Sequence, residues 1–181
     1  MRASVVALAL LPLAGCASSE RFLWEEYTGL GVAATVAGEY RQAEQFLNRA
    51  LVKAGDLGPT EQGITFNGLG ELYRRQRRLE DAERMFTRSL ALKEEALGPD
   101  HPDVATTLAN LGLVYLAEGR NEEAVPVLER ALTIQQSATV RPATIQRTLA
   151  ALSEAYRRTG QDEKADEADE RRRQLREVPR R

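Results

Sequence analysis

Two side chains in this chain of 181 residues belong to the types that most often serve as nucleophile or proton shuttle: the single Cys, Cys16, and the single His, His101. Any imidazole-based catalytic set has to use His101. It lies in the run Pro99-Asp100-His101-Pro102, which is turn chemistry, so it reads as a linker residue and not as a general base. One Cys and one His cannot supply a Cys/His zinc set, and one Cys closes no disulfide framework. The acid runs Glu94-Glu95, Glu122-Glu123 and Asp166-Glu167 are adjacent pairs. Adjacent helix residues point about 100° apart, so these carboxylates do not converge. No glycine-rich phosphate loop follows a strand-like segment. The expectation is therefore no catalytic residue, no metal site, no cofactor and no small-molecule substrate. A formal net charge of -2 gives no basic footprint for nucleic acid. The arginines Arg171, Arg172, Arg173, Arg176, Arg180 and Arg181 read as a solvated end that complements a helix dipole.

Cys16 has a different chemistry. Arg2 precedes Ala3–Leu13, an apolar run broken only by Ser4 and Pro12, and small residues lead into Cys16. A basic start, a short apolar run and small residues describe a secretory signal, too short for a stable membrane-spanning helix. The segment Leu13-Ala14-Gly15-Cys16 resembles the lipobox of bacterial lipoproteins. That resemblance implies a signal peptide over 1–15, cleavage before Cys16, and acylation of the Cys16 sulfur and of the new amine. Two or more acyl chains anchor durably where one does not. Residues 16–21 would be the lipidated Cys and a short tether. Ala17–Glu20, if extended, reach about 14 Å, which holds the folded part near the bilayer. Ala17 stands where the family's inner-membrane retention residue is typically Asp. This implies a periplasm-facing protein of the bacterial outer membrane, with the inner membrane still open. The alternative is a non-lipoprotein secretory signal with an unmodified Cys16.

The elements behind these residues are set by a repeat. Phe66-Asn67-Gly68-Leu69-Gly70-Glu71-Leu72-Tyr73 recurs as Leu108-Ala109-Asn110-Leu111-Gly112-Leu113-Val114-Tyr115, and again as Leu149-Ala150-Ala151-Leu152-Ser153-Glu154-Ala155-Tyr156. Leu79-Glu80-Asp81-Ala82, Asn121-Glu122-Glu123-Ala124 and Asp162-Glu163-Lys164-Ala165 keep the same register. An earlier copy runs through Tyr27, Gly31, Gly38, Ala43 and Leu47. Leu69 and Tyr73 fall one turn apart on one helix face. Gly70 and Gly112 suit a close helix crossing against Ala82 and Ala124. Gly38, Gly119 and Gly160 suit a left-handed residue ending the first helix of each pair, and Arg77 occupies that slot in the second copy. Helix pairs that cannot bury their apolar faces singly must stack. Helices are expected over 22–37, 40–54, 61–76, 79–97, 103–117, 121–136, 142–158 and 161–177. Pro102 and Pro142 fit first turns, and Pro126 should bend its helix. The polar run Glu163–Arg173 suits an end cap.

The order aromatic-x2-Leu-Gly-x2-Tyr, with Ala nine residues on, resembles the tetratricopeptide repeat. The stretch Leu97-Gly98-Pro99-Asp100-His101-Pro102 is similar to the linker of the longer, kinesin light chain-type repeats. The resemblance covers 22–177, with repeats at about 24–57, 63–98, 105–138 and 146–177. The first repeat has Ala34 in place of the tyrosine, and the last has Asp169 and Arg172 where an apolar and a small residue belong. It implies an all-α, right-handed solenoid of four antiparallel helix pairs that binds a partner protein or an extended peptide in its concave groove. The family's peptide-contact positions fall here on Asn67, Glu71, Arg74, Asn110, Arg147, Glu154 and Arg157. Carboxamides can both donate to and accept from a peptide backbone, and guanidinium groups can pair with carboxylates. The expected function is a membrane-anchored periplasmic adaptor or scaffold. The alternative is a self-assembling structural module or assembly factor, of the kind that serves pilus secretin or outer-membrane protein assembly. Phe22, Trp24, Tyr40 and Phe46 would then form a homo-oligomer contact.

Overall fold

A computed structural model describes residues 13–177. The expected signal segment up to residue 12 and the arginines Arg180 and Arg181 lie outside the described residues. Within them the chain is eight helices: α1 (Leu13–Ala37), α2 (Tyr40–Leu57), α3 (Pro59–Arg75), α4 (Leu79–Leu97), α5 (Pro102–Glu118), α6 (Asn121–Ser137), α7 (Pro142–Arg158) and α8 (Asp162–Glu177). Among the described residues no helix is long and apolar enough to cross a membrane.

Successive helices pack on each other, and so do α1 with α3, α3 with α5, and α5 with α7. The even-numbered helices do not pack on one another among the described residues. A stack whose odd helices touch and whose even helices splay must curve, with the odd helices inside. That puts α1, α3, α5 and α7 on the concave side.

Within each pair the turn is the same device. Gly38, Arg77, Gly119 and Gly160 all adopt positive φ, at 80, 63, 79 and 72. Each is followed by a hydrogen bond back five residues, as from Glu39 N–H to the Ala34 carbonyl and from Arg78 N–H to the Tyr73 carbonyl. These bonds satisfy the last carbonyls of the first helix and reverse the chain in two residues. Arg77 performs the glycine's task in spite of its Cβ. The odd helices open on proline at Pro59, Pro102 and Pro142; Pro59 was not expected from the sequence. His101 caps α5, its Nδ1 accepting the Asp103 N–H at 3.1 Å. Helix α6 runs unbroken through Pro126.

Packing explains the Leu-Gly signature. A Cβ on Gly31 would lie 2.6 Å from Leu47, on Gly70 2.7 Å from Phe86, and on Gly112 2.5 Å from Leu128. Each is a hole in an odd helix filled by a large side chain sixteen residues on in the next helix. Ala43, Ala82, Ala124 and Ala165, at the facing position, are all fully buried. Between repeats, Tyr73 donates to Glu44 and lies under Arg78, and Tyr156 donates to Glu129 and lies under Lys164. In the first repeat Trp24 donates its Nε1–H to Thr65 at 2.9 Å.

Two expectations change. Helix α1 begins at Leu13, nine residues before its expected start, so Cys16 and the supposed tether belong to its backbone. Its early turns are tied down by Glu20–Lys53 and Arg21–Glu61 ion pairs, both 2.7 Å. The four aromatics of the first repeat do not form a shared exposed patch. Trp24 is buried, Tyr40 and Phe46 are half-buried, and Phe22 alone is exposed.

Candidate functional site

The concave face holds a groove of about 470 Å³ between α1, α3, α5 and α7. Val32, Thr35 and Val36 line it from α1; Asn67, Gly68, Glu71, Arg74 and Arg75 from α3; Thr106, Asn110 and Leu113 from α5; and Arg147 from α7. Five of the seven expected positions, Asn67, Glu71, Arg74, Asn110 and Arg147, therefore meet in one place. Glu154 and Arg157 are not among its lining residues.

The floor is a carboxamide pair. Asn110, only 7% exposed, donates its Nδ2–H to Asn67 Oδ1 at 3.2 Å. Beneath them lies a polar chain. Thr107 reaches Asn67 Oδ1 at 3.4 Å, and the Lys93 ammonium donates to Thr107 Oγ1 at 3.1 Å. Lys93 is 3% exposed and, among the described residues, faces no carboxylate side chain within ion-pair distance. Burial pushes its ammonium below the usual lysine value, against the weaker opposing pull of Asp103. It lies on the buried stripe Ala82, Phe86, Ser89, Lys93 of α4, a spacing visible in the sequence but overlooked there.

The charges around the floor divide into paired and free. The Arg74 Nε and Nη2 donate to the two oxygens of Glu71 at 2.8 and 2.9 Å, and Arg75 adds a third bond at 2.7 Å. Burial pushes the Glu71 carboxyl up, but the Arg74 and Arg75 hydrogen bonds outweigh it and hold the group below its ordinary value. Arg74 thus has its bidentate edge already engaged. Arg147 is exposed and makes no ion pair among the described residues. Arg157, by contrast, is held by Asp169 at 2.6 Å and by Ser153 at 2.7 Å, and Glu154 pairs with Arg158. These two expected contacts serve the last helix pair.

The sequence reading also missed the apolar wall. Val32 and Val36 are 47% and 66% exposed, and Leu113 joins them across the groove. The signal was available: Val32 and Leu113 hold the register of Glu71 in the first and third copies. Among the described residues no group of His, Cys, Asp and Glu is arranged to hold a metal ion.

Comparison with known proteins supports the same architecture. Residues 61–137 match the tetratricopeptide repeat family model. The protein kinesin light chain-related 2 of Arabidopsis thaliana is 27% identical over 103 residues, covering 55% of this chain and 16% of the relative. The chain therefore spans about one-sixth of the length of that curated relative. The crystal structure of BtubC (BKLC) from P. vanneervenii superposes with a TM-score of 0.79 at 24% identity, over 90% of this chain and 69% of that one. A Podosopora anserina kinesin light chain repeat structure gives 0.73 at 20% identity, over 89% and 78%. The crystal structure of MamA gives 0.64 at 19% identity, over 91% and 88%. The fold is an all-α solenoid of tetratricopeptide-type helix pairs, similar to the repeats of the kinesin light chain proteins above, and an architecture suited to protein–protein interaction.

Proposed function

We propose that this protein is a membrane-anchored adaptor whose concave groove holds an extended peptide segment of a partner protein. One observation carries the reading. The Asn67–Asn110 pair lies on the groove floor with an unengaged donor, Asn67 Nδ2, and an unengaged acceptor, Asn110 Oδ1, among the described residues. A backbone N–H and C=O are what such a pair satisfies. Val32, Val36 and Leu113 beside it would take an apolar side chain, and Arg147 a carboxylate. The anchor is Cys16, in the lipobox-like segment, which would set the protein at the periplasmic side of a bacterial outer membrane. Holding the groove at a surface raises the effective concentration of any partner confined there.

Two experiments test the two halves. The full chain is used to select from a phage-displayed library of random linear peptides. Selected peptides should lose binding to Asn110→Ala and to Arg147→Ala chains, and peptides indifferent to both substitutions would remove the groove from the function. Separately, mass spectrometry of the chain purified from membranes should show acyl groups on Cys16, and Cys16→Ser should move it to the soluble fraction. A Cys16→Ser chain that still fractionates with membranes, with no lipid on the unaltered chain, would end the lipoprotein reading.

A further inference from the structure

The groove floor is wired to a buried cation, and this wiring has a direction. An ammonium has three donors and no acceptor. Where Lys93 meets Thr107 Oγ1 at 3.1 Å, the hydroxyl oxygen must therefore accept. Ser89 commits its own proton to the Gly63 carbonyl at 2.7 Å, so toward Thr107 it too can only accept. The Thr107 proton is left to point at acceptors, the Asp103 carbonyl at 3.1 Å, Asn67 Oδ1 at 3.4 Å and Ser89 Oγ at 3.4 Å. Asn67 then faces inward with its oxygen, and the Asn110 amide nitrogen completes that oxygen's coordination at 3.2 Å. Side-chain hydroxyl and amide dipoles turn their negative ends toward a nearby cation, so the buried Lys93 charge favours this arrangement over its reverse. What is left for the groove is the nitrogen of Asn67, on α3, and the oxygen of Asn110, on α5.

We propose that Lys93 is a positioning residue that fixes the orientation of both carboxamides, so that the groove accepts an extended peptide in one chain direction only. The inference rests on the peptide-groove reading above and deepens it. An extended residue presents its own N–H and C=O close together on one edge, the N–H on the N-terminal side. The touching carboxamides match that close spacing. Asn110 Oδ1 takes the N–H and Asn67 Nδ2 donates to the C=O. The peptide N-terminus therefore points toward α7 and Arg147, and its C-terminus toward Val32 and Val36 on α1. Without Lys93 the hydroxyl and both amides are free to reverse together, and both directions become available.

The test uses a peptide selected from the random library for its dependence on Asn110. It is synthesised with a nitroxide at either end and added to the isotope-labelled full chain. The N-terminal label should broaden the NMR signals of Arg147 and Leu113, and the C-terminal label those of Val32 and Val36. In Lys93→Met affinity should fall ~10-fold, about the value of one well-made hydrogen bond, and each label should broaden both ends. Lys93→Gln keeps a donor but adds an acceptor, so it should restore affinity more than it restores direction. A merely structural lysine would lower the melting temperature and leave direction untouched, which would overturn the proposal. So would a wild-type peptide that binds in both directions or in the opposite one. Neutron diffraction of the unaltered chain gives a check independent of any variant's folding. Deuterons on the groove-facing atom of Asn67 support the relay, and deuterons on its inward atom refute it. If no peptide depends on Asn110, the groove reading falls first and takes this inference with it; Asn110-dependent binding without a single direction removes this inference alone.

Discussion

At the scale of single residues, Arg77 occupies a backbone slot that the other three pairs give to glycine. With φ at 63 it carries a left-handed conformation that costs an L-residue about 1–2 kcal/mol. Glycine removes that cost but loses roughly 0.5–1 kcal/mol in chain entropy. Arg77→Gly should therefore stabilise the protein, by about 0.5–1 kcal/mol, raising the thermal midpoint by roughly 2 °C; an unchanged or lower midpoint in scanning calorimetry would count against the strain argument. Glu71 makes a prediction in pH. Its carboxyl is held below the ordinary value of 4.5, burial opposing and the Arg74 and Arg75 hydrogen bonds prevailing. A depressed acid stabilises the fold above its unfolded value and stops doing so as pH falls through the folded value. The stability gap between wild type and Glu71→Gln should thus be full at neutral pH and shrink only below about pH 4.5, as read by urea titrations at several pH values. The carboxyl carbon of Glu71 should titrate in the same acidic window by NMR.

At the scale of elements, the last pair departs from the other three. Where they set a large apolar side chain over glycine, α7 and α8 set Asp169 over Ser153, at 3.0 Å, with Arg157 closing the triangle. Ser153 is buried but Arg157 is exposed, so the ion pair itself contributes little and the Ser153–Asp169 contact is what packs the crossing. Asp169→Leu alone should destabilise, because the Ser153 side chain occupies the space and its buried hydroxyl loses the Asp169 acceptor. The double substitution Ser153→Gly with Asp169→Leu should recover most of that loss, giving a coupling of about 0.5–3 kcal/mol in a double-mutant cycle; additive effects would show that the two positions do not act together. This same substitution of chemistry marks how far the sequence could be read. Repeats two and three were legible to within a residue or two because Leu69, Gly70 and Tyr73 return as Leu111, Gly112 and Tyr115, and spacing alone determines a helix face. The start of α1 was not, because Leu, Ala and Ser serve equally in a secretory signal and in a helix. The gathering of Asn67, Glu71, Arg74, Asn110 and Arg147 followed from register. Which charges stay free did not. Arg157 is captured by a residue twelve positions away on another helix, and Lys93 is accommodated by Thr107 across an interface. Such pairings depend on tertiary neighbours that periodicity does not name.

At the scale of the whole molecule, each helix pair touches only its neighbours, so stability is close to a sum over pairs and interfaces. The two end pairs have one interface each and should open first. Leu152, 2% exposed at the centre of the final cluster, is the place to see it. Leu152→Ala should cost about 2–5 kcal/mol and concentrate the loss in α7 and α8. Hydrogen exchange should then accelerate across Pro142–Glu177 while α3 and α4 keep their protection; uniform acceleration would mean that the stack unfolds as one unit. At the opposite end, α1 runs without a break from Leu13 to Ala37, with Cys16 near its beginning and Val32 and Val36 on the groove wall near its end. At 1.5 Å of rise per residue, about 24–30 Å of helix separates them. If Cys16 is acylated, that rod acts as a mast with no joint in it. The binding face rides at a set altitude and heading above the lipid, so a partner lying flat on the bilayer stays out of reach, and one that projects a few nanometres into the aqueous space meets the opening directly.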